Sequence, residues 1–251
     1  MTAPERLGRS VDVLAIGAHP DDVELGCGGT LALLVARGRR AGIVHLTAGE
    51  AGSRGSAGER RGEAAHAAAA LGVEQLEILD CGDGGLRTGC DEEDRLIEVL
   101  RRLRPRLVLG PPPSDRHPDH GRAHALARAA CFYSGLAKRS PELGPPHRPA
   151  AFYSYLQHDL VVPTFVVDVT EAWARKTAAL DAYASQLWRP DPSVHPGGPP
   201  TLVSSREFRL AIEGRARDLG LTIGAVYGEG FLALGPLAVT DPLDLLPRGL
   251  E

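Results

Sequence analysis

The 251-residue chain sets 28 Lys and Arg against 32 Asp and Glu for a formal net charge of -4, with 43% hydrophobic and 24% charged residues. These are ordinary globular values and exclude disorder over most of the length. The basic residues are dispersed rather than gathered into the stripe that a nucleic-acid binder carries, so no nucleic acid is expected as a partner. Cys27, Cys81, Cys90 and Cys131 form no C-x-x-C pair, which in a chain this large favours reduced thiols over a disulfide scaffold. The early apolar run from Val11 to Ala18 is short and interrupted by Asp12, unlike a signal peptide, and no run approaches the roughly 20 apolar residues of a membrane span. The expectation is a cytoplasmic protein with no membrane partner, forming a single domain over 1–251.

Runs rich in β-branched residues recur through the first half: VDVLAIG at 11–17, GIVHLT at 42–47, LEILD at 76–80 and RLVLG at 106–110. Between them lie the Ala- and Leu-rich stretches TLALLVARG, ERRGEAAHAAAALG and DEEDRLIEVLRRL, so the pattern reads β-α-β-α-β-α-β. That alternation predicts an α/β fold: a Rossmann-like, doubly wound, mostly parallel sheet with helices on both faces. The second half predicts strands at 151–156, 164–169 and 223–231 and helices at 170–186 and 204–219. Two segments, 48–59 and 189–200, are rich in Gly, Ser or Pro. They are expected to be mobile and are candidate lids.

In the common strand order 3-2-1-4, the first and fourth strands flank the point where the winding reverses, and ligands sit at their carboxyl ends. After the first strand comes AHPDD, with His19, Asp21 and Asp22; after the fourth comes PPPSDRHPDH, with His117, Asp119 and His120. Topology thus brings two histidine- and aspartate-bearing turns to one crevice. Imidazole and carboxylate suit Zn2+, which in catalytic sites takes three protein ligands and keeps one position for water. His19, Asp22 and His120 can supply three. Asp21, held off the metal but beside its water, then suits a general base. Either turn alone is a weak signal; both together after these two strands form a strong one.

Other histidines are poorer candidates. His45 lies in a strand, His66 and His124 lie in helical stretches, and His195 lies in the Pro/Gly loop. His147 and His158 could approach the site, but spacing does not decide it. The glycines of LGCGGTL lack the G-x-G-x-x-G spacing of a dinucleotide loop, so Gly26, Gly28 and Gly29 are expected to let the following helix pack closely on the sheet.

AHPDDVELGCGGTL followed by DRHPDH, together with GSRGSAGERRGEAAHAAAALGV, LDAYASQ and AVYGEGF, resembles the PIG-L/LmbE-like zinc deacetylases over about residues 11–235. Within that family the chain looks most like the bacillithiol-biosynthesis deacetylases, which act on N-acetylglucosaminyl-malate. The resemblance implies one zinc ion held by His19, Asp22 and His120, with Asp21 as general base. It implies His117 as a cationic residue beside the scissile carbonyl, Asp119 orienting it, and Arg60, Arg116 and Arg148 as substrate contacts. It further implies a small amino-sugar conjugate as ligand and a homo-oligomer, a hexamer among the options. Where related enzymes carry a tyrosine near the start of the penultimate helix, this chain has Phe208, leaving Tyr227 or another residue to supply a hydroxyl. A different aglycone, such as inositol or a second sugar, is the alternative within the family; a metal-dependent sugar-binding protein without turnover is the alternative outside it.

Overall fold

The computed structural model describes residues 10–189 and 198–241; positions 190–197 of the candidate lid, His195 among them, lie outside the described residues. The strands are β1 (Val13–Gly17), β2 (Ala41–His45), β3 (Gln75–Ile78), β4 (Leu107–Gly110), β5 (Ala151–Tyr155), β6 (Phe165–Asp168) and β7 (Gly228–Ala233). They join in one sheet of order β3-β2-β1-β4-β5-β7-β6. β1 to β5 are parallel, and β7 runs antiparallel to both β5 and β6. The expected 3-2-1-4 half is present, extended by an antiparallel edge.

Side chains alternate across a strand, and β1 shows what that does here. Val13 and Ala15 enter one apolar cluster, with residues of α1 (Asp22–Ala36), α2 (Ala57–Leu71) and α5 (Trp173–Ala182). Leu14 and Ile16 enter a second cluster, with residues of α3 (Cys90–Leu103) and α4 (Pro118–Tyr133). Both faces of the strand are buried, which is why VLAIG reads as an unbroken apolar run. The last helix, α6 (Arg206–Leu221), packs against β7.

Several boundaries differ from the sequence reading. α1 starts at Asp22 rather than near Thr30, so the glycines lie inside it, and it is broken at Cys27, which has φ -144° and ψ 19°. A Cβ on Gly26 would stand 2.1 Å from Tyr155 Cδ2, and one on Gly29 2.9 Å from Val169 Cβ, whereas Gly28 meets only ordinary contacts. Close packing therefore requires two of the three glycines. α2 starts at Ala57 because Ser56 and Glu59 form a capping box, so the tail of the 48–59 segment is helical. β7 starts at Gly228 rather than 223, because the Ala225 amide first donates to Gly220 O and closes the end of α6.

Candidate active site

Because β1 and β4 pair directly, the turns that follow them meet at the carboxyl edge. After β1, the His19 amide donates to Asp22 Oδ2 at 2.8 Å. Asp21 adopts φ 104°, a left-handed conformation that is uncommon outside glycine and marks local strain. Arg60, in the first turn of α2, holds this turn from behind: its Nη2 donates to Pro20 O at 2.6 Å and its Nη1 to Gly49 O at 3.2 Å. The same guanidinium stands 3.7 Å from Asp21 Oδ2. After β4, His117 caps α4 by accepting the Asp119 amide on Nδ1 at 3.2 Å, with Pro118 opening the helix.

Asp22 links the two turns. Its Oδ2 lies 3.4 Å from His19 Nδ1, its Oδ1 3.1 Å from His120 Nε2, and Gln157 Nε2 donates to Oδ1 at 2.6 Å. His120 Nδ1 is backed by Asp115 Oδ2 at 2.7 Å. One ring nitrogen against a carboxylate and the other facing a potential ion is the usual arrangement of a metal-ligating histidine. His19 Nε2 is buried without a hydrogen-bond partner, although Asp83 Oδ1 lies 3.0 Å and Asp119 Oδ2 3.7 Å away. Among the described residues, three sets of donors approach within 4.8 Å of one another: His19, His117 and His120; Asp115, His120 and His158; and His19, Asp83 and Asp119. His19, Asp22 and His120 are joined differently, with Asp22 giving one oxygen to each ring. An orphaned buried imidazole nitrogen amid nitrogen and oxygen donors fits a divalent cation of the zinc class.

The electrostatics agree. Burial opposes a charged His120, but Asp22 and Asp115 outweigh it and raise the ring to about 9. Burial likewise opposes a charged His19, and Asp119, Asp22 and Asp83 raise it well above 6.5. Asp22 is held well below the usual carboxylate range by His120 and His19 despite its burial. Burial pushes Asp21 up to about 7, against the pull of Arg60. The site thus gathers positive charge around Asp22, which a bound cation can supply instead of ring protons.

A cavity of about 360 Å3 opens over this edge, and its lining includes Asp21, Arg60, Asp83, Arg116, His117 and His158. Arg60 and Arg116 are therefore at the site, but Arg148 is not. It precedes β5 at the opposite edge of the sheet, where Nη2 donates to Phe132 O at 3.0 Å and the guanidinium covers the Phe132 ring at 4.4 Å. Asp119 does not orient His117 through its carboxylate: that group accepts from Gly84 N at 2.9 Å, Leu86 N at 3.1 Å and Arg122 Nη1 at 3.0 Å, anchoring the 81–89 loop. Burial and the neighbouring His19 and His120 lower the pKa of His117, against the cationic state that the resemblance implies. With Nδ1 accepting, a neutral His117 carries its proton on Nε2.

Of the two undecided histidines, His158 stacks on His120 with ring centroids 5.8 Å apart. His147 instead meets Pro105 O at 2.7 Å, ahead of β4. Phe208, on the last described helix α6 rather than the penultimate one, lies beside His158, with centroids 5.6 Å apart. Tyr227 supplies no hydroxyl here: it stacks on Trp173 and bonds Glu213 and Arg217. Three site residues escaped the sequence reading. Asp115 stood within the quoted motif and could have been noticed, whereas Asp83 and Gln157 follow β3 and β5 with no motif around them.

Comparison with known proteins decides the family. The family model PIG-L: GlcNAc-PI de-N-acetylase matches residues 14–131. The diacetylchitobiose deacetylase of Thermococcus kodakarensis is 32% identical over 199 residues, covering 71% of this chain and 73% of its own. The chain belongs to the PIG-L family. Other relatives include the 1D-myo-inositol 2-acetamido-2-deoxy-alpha-D-glucopyranoside deacetylase of Nocardia farcinica, 31% identical over 79% of this chain and 84% of its own. The 4-oxalmesaconate hydratase of Pseudomonas putida is also 31% identical, over 70% and 74%. Among solved structures, the conserved protein TT1542 from Thermus thermophilus superimposes with a TM-score of 0.81 at 35% identity, covering 92% of this chain and 98% of that one.

Proposed function

We propose that the protein is a zinc-dependent N-deacetylase of an N-acetylglucosamine conjugate, with N-acetylglucosaminyl-malate, on the route to bacillithiol, as its substrate. The observation that carries the reading is Asp21: a strained, buried carboxylate in the cavity, beside but outside the His19–Asp22–His120 group. Deacetylases of two acetylated amino-sugar conjugates among the relatives support the reaction. Arg116 on the cavity wall supports a carboxylate-bearing aglycone, since a guanidinium pairs bidentately with carboxylates, and Arg60, bonded to Pro20 O and Gly49 O, adds fixed positive charge.

His19, Asp22 and His120 would hold the ion. The chemistry a bound zinc supplies is polarisation of a carbonyl and acidification of a water molecule. Asp21 takes a proton from the attacking water as its oxygen bonds to the acetamide carbon. His117 donates its Nε2 proton as a hydrogen bond to the developing oxyanion, a contact typically worth about 3 kcal/mol. As the C–N bond breaks, Asp21 returns the proton to the amine, leaving acetate and a free glucosamine nitrogen.

The test is amine release from N-acetylglucosaminyl-malate, its inositol counterpart, diacetylchitobiose and free N-acetylglucosamine, with zinc-loaded and chelated protein. Zinc-dependent preference for the malate conjugate is expected. Equal rates on all four would keep the deacetylase and discard malate. No release from any, with zinc bound, would discard the deacetylase, leaving a sugar-binding protein or, if an unsaturated dicarboxylate is hydrated, a hydratase.

A further inference from the structure

Helix α1 carries Asp22 in its first turn and breaks at Cys27. An unbroken helix joins the carbonyl of residue 25 to the amide of residue 29. Here two side chains from distant elements take those groups. Lys176 Nζ, on α5, donates to Leu25 O at 2.8 Å. Glu229 Oε1, on β7, accepts from Gly29 N at 2.9 Å, while its Oε2 accepts from both the amide and the hydroxyl of Thr30 at 2.7 Å. The two side chains meet each other at 2.6 Å and are each 3% exposed. An ion pair thus sits across the kink, on the carbonyl and the amide that an unbroken helix would join.

A buried pair of this kind is weak evidence for added stability, because the desolvation of both charges offsets their attraction. Its value here lies in what it holds. Leu25, whose carbonyl receives Lys176, donates its own amide to Asp21 O at 2.9 Å. One residue therefore connects the ion pair to the Asp21–Asp22 turn. From the other side, Gly26 lies against the buried Tyr155, whose hydroxyl donates to Ile16 O at 3.0 Å in β1. The first turn of α1 is clamped between β1 and the ion pair, with Asp22 projecting to His120.

We propose that Lys176 and Glu229 are positioning residues: by holding the carbonyl and the amide on either side of the kink they fix the first turn of α1, and with it the angle at which Asp22 meets His19 and His120. This rests on the reading of Asp22 as a metal ligand. It also gives a role to the glutamate of the AVYGEGF segment, which the catalytic reading leaves unused.

The test measures zinc affinity of the full chain, by competition with a chromophoric chelator, in Lys176→Met and Glu229→Gln, beside Leu96→Ala as a control. Leu96 is fully buried in the cluster on the opposite face of the sheet, so its truncation lowers the melting temperature without touching α1. The expected result is a roughly 10-fold weaker zinc affinity in the two pair variants, the low end of the range for groups that bond metal ligands directly, with wild-type affinity in the control. Glu229→Gln keeps the shape of the side chain and an accepting oxygen, so it carries the test if Lys176→Met does not fold. Folded pair variants with wild-type zinc affinity would overturn the proposal. So would loss of far-UV circular dichroism in both, which would make the pair a purely structural element. A wild-type chain that binds no zinc would remove the metal reading itself, a failure visible before any variant is made.

Discussion

Replacing Asp115 with Asn tests the proposed metal site through one proton. Asp115 Oδ1 accepts from the Arg116 and Asp159 amides at 2.8 and 3.1 Å, and Oδ2 meets His120 Nδ1 at 2.7 Å. The two amides can only donate, so the single oxygen of Asn stays with them and its NH2 turns to His120. Donor then faces donor unless the imidazole moves its proton to Nε2. That nitrogen lies 3.1 Å from Asp22 Oδ1, and once protonated it cannot ligate. The side chain of residue 115 is fully buried, so no solvent relieves the conflict. Zinc affinity should fall 10- to 100-fold, equivalent to about 1.4 to 2.7 kcal/mol, with no large change in far-UV circular dichroism. Titration against a chromophoric chelator reads it directly. Affinity within about twofold of wild type would refute the assignment of His120 Nε2 as a ligand.

Asp21→Asn keeps a residue that tolerates the left-handed backbone and should lower kcat for amine release by roughly 10²- to 10⁴-fold, the range for a lost general base, with zinc affinity retained; unchanged turnover would remove Asp21 from that role. Arg148→Ala should leave both kcat and KM for the malate conjugate at wild-type values, since Arg148 packs on Phe132 at the far edge of the sheet. Arg116→Ala, by contrast, should raise KM on the malate conjugate more than on the inositol one. Equal effects on the two would separate Arg116 from carboxylate recognition.

What could be read from the sequence was whatever one turn carries by itself. His19, Asp21 and Asp22 stand together after a strand that is apolar on both faces, and His117 and His120 open a helix after the strand that pairs with it. Knowing only that β1 and β4 are neighbours brings these groups together. Arg148 misled because an arginine just before a strand lies at the amino edge, and residue type alone does not distinguish the two edges. Asp119 misled in a subtler way. It is in the motif and near the site, but its carboxylate closes the 81–89 loop through Gly84 and Leu86, contacts that need the path of a loop no local pattern fixes. Asp83 and Gln157 were hidden for the same reason, each coming from a separate strand end.

The relatives sharpen what this site does and does not determine. A hydratase and two deacetylases share about the same identity with this chain, and hydration and amide hydrolysis both begin with water losing a proton to a base. Under the proposed function, the acidic-histidine turns would serve either reaction alike, by taking a proton from water. That choice falls to the walls of the cavity, where Arg60 and Arg116 come from α2 and from the turn before α4. Arg60 is already committed to Pro20 O and Gly49 O, so it presents charge from a fixed place. Arg116 is exposed and lines the cavity. Under the proposed function, fixed charge from Arg60 and an exposed guanidinium on Arg116 suit an anionic aglycone, and this is why the comparison of malate with inositol discriminates more than any substitution of the histidines.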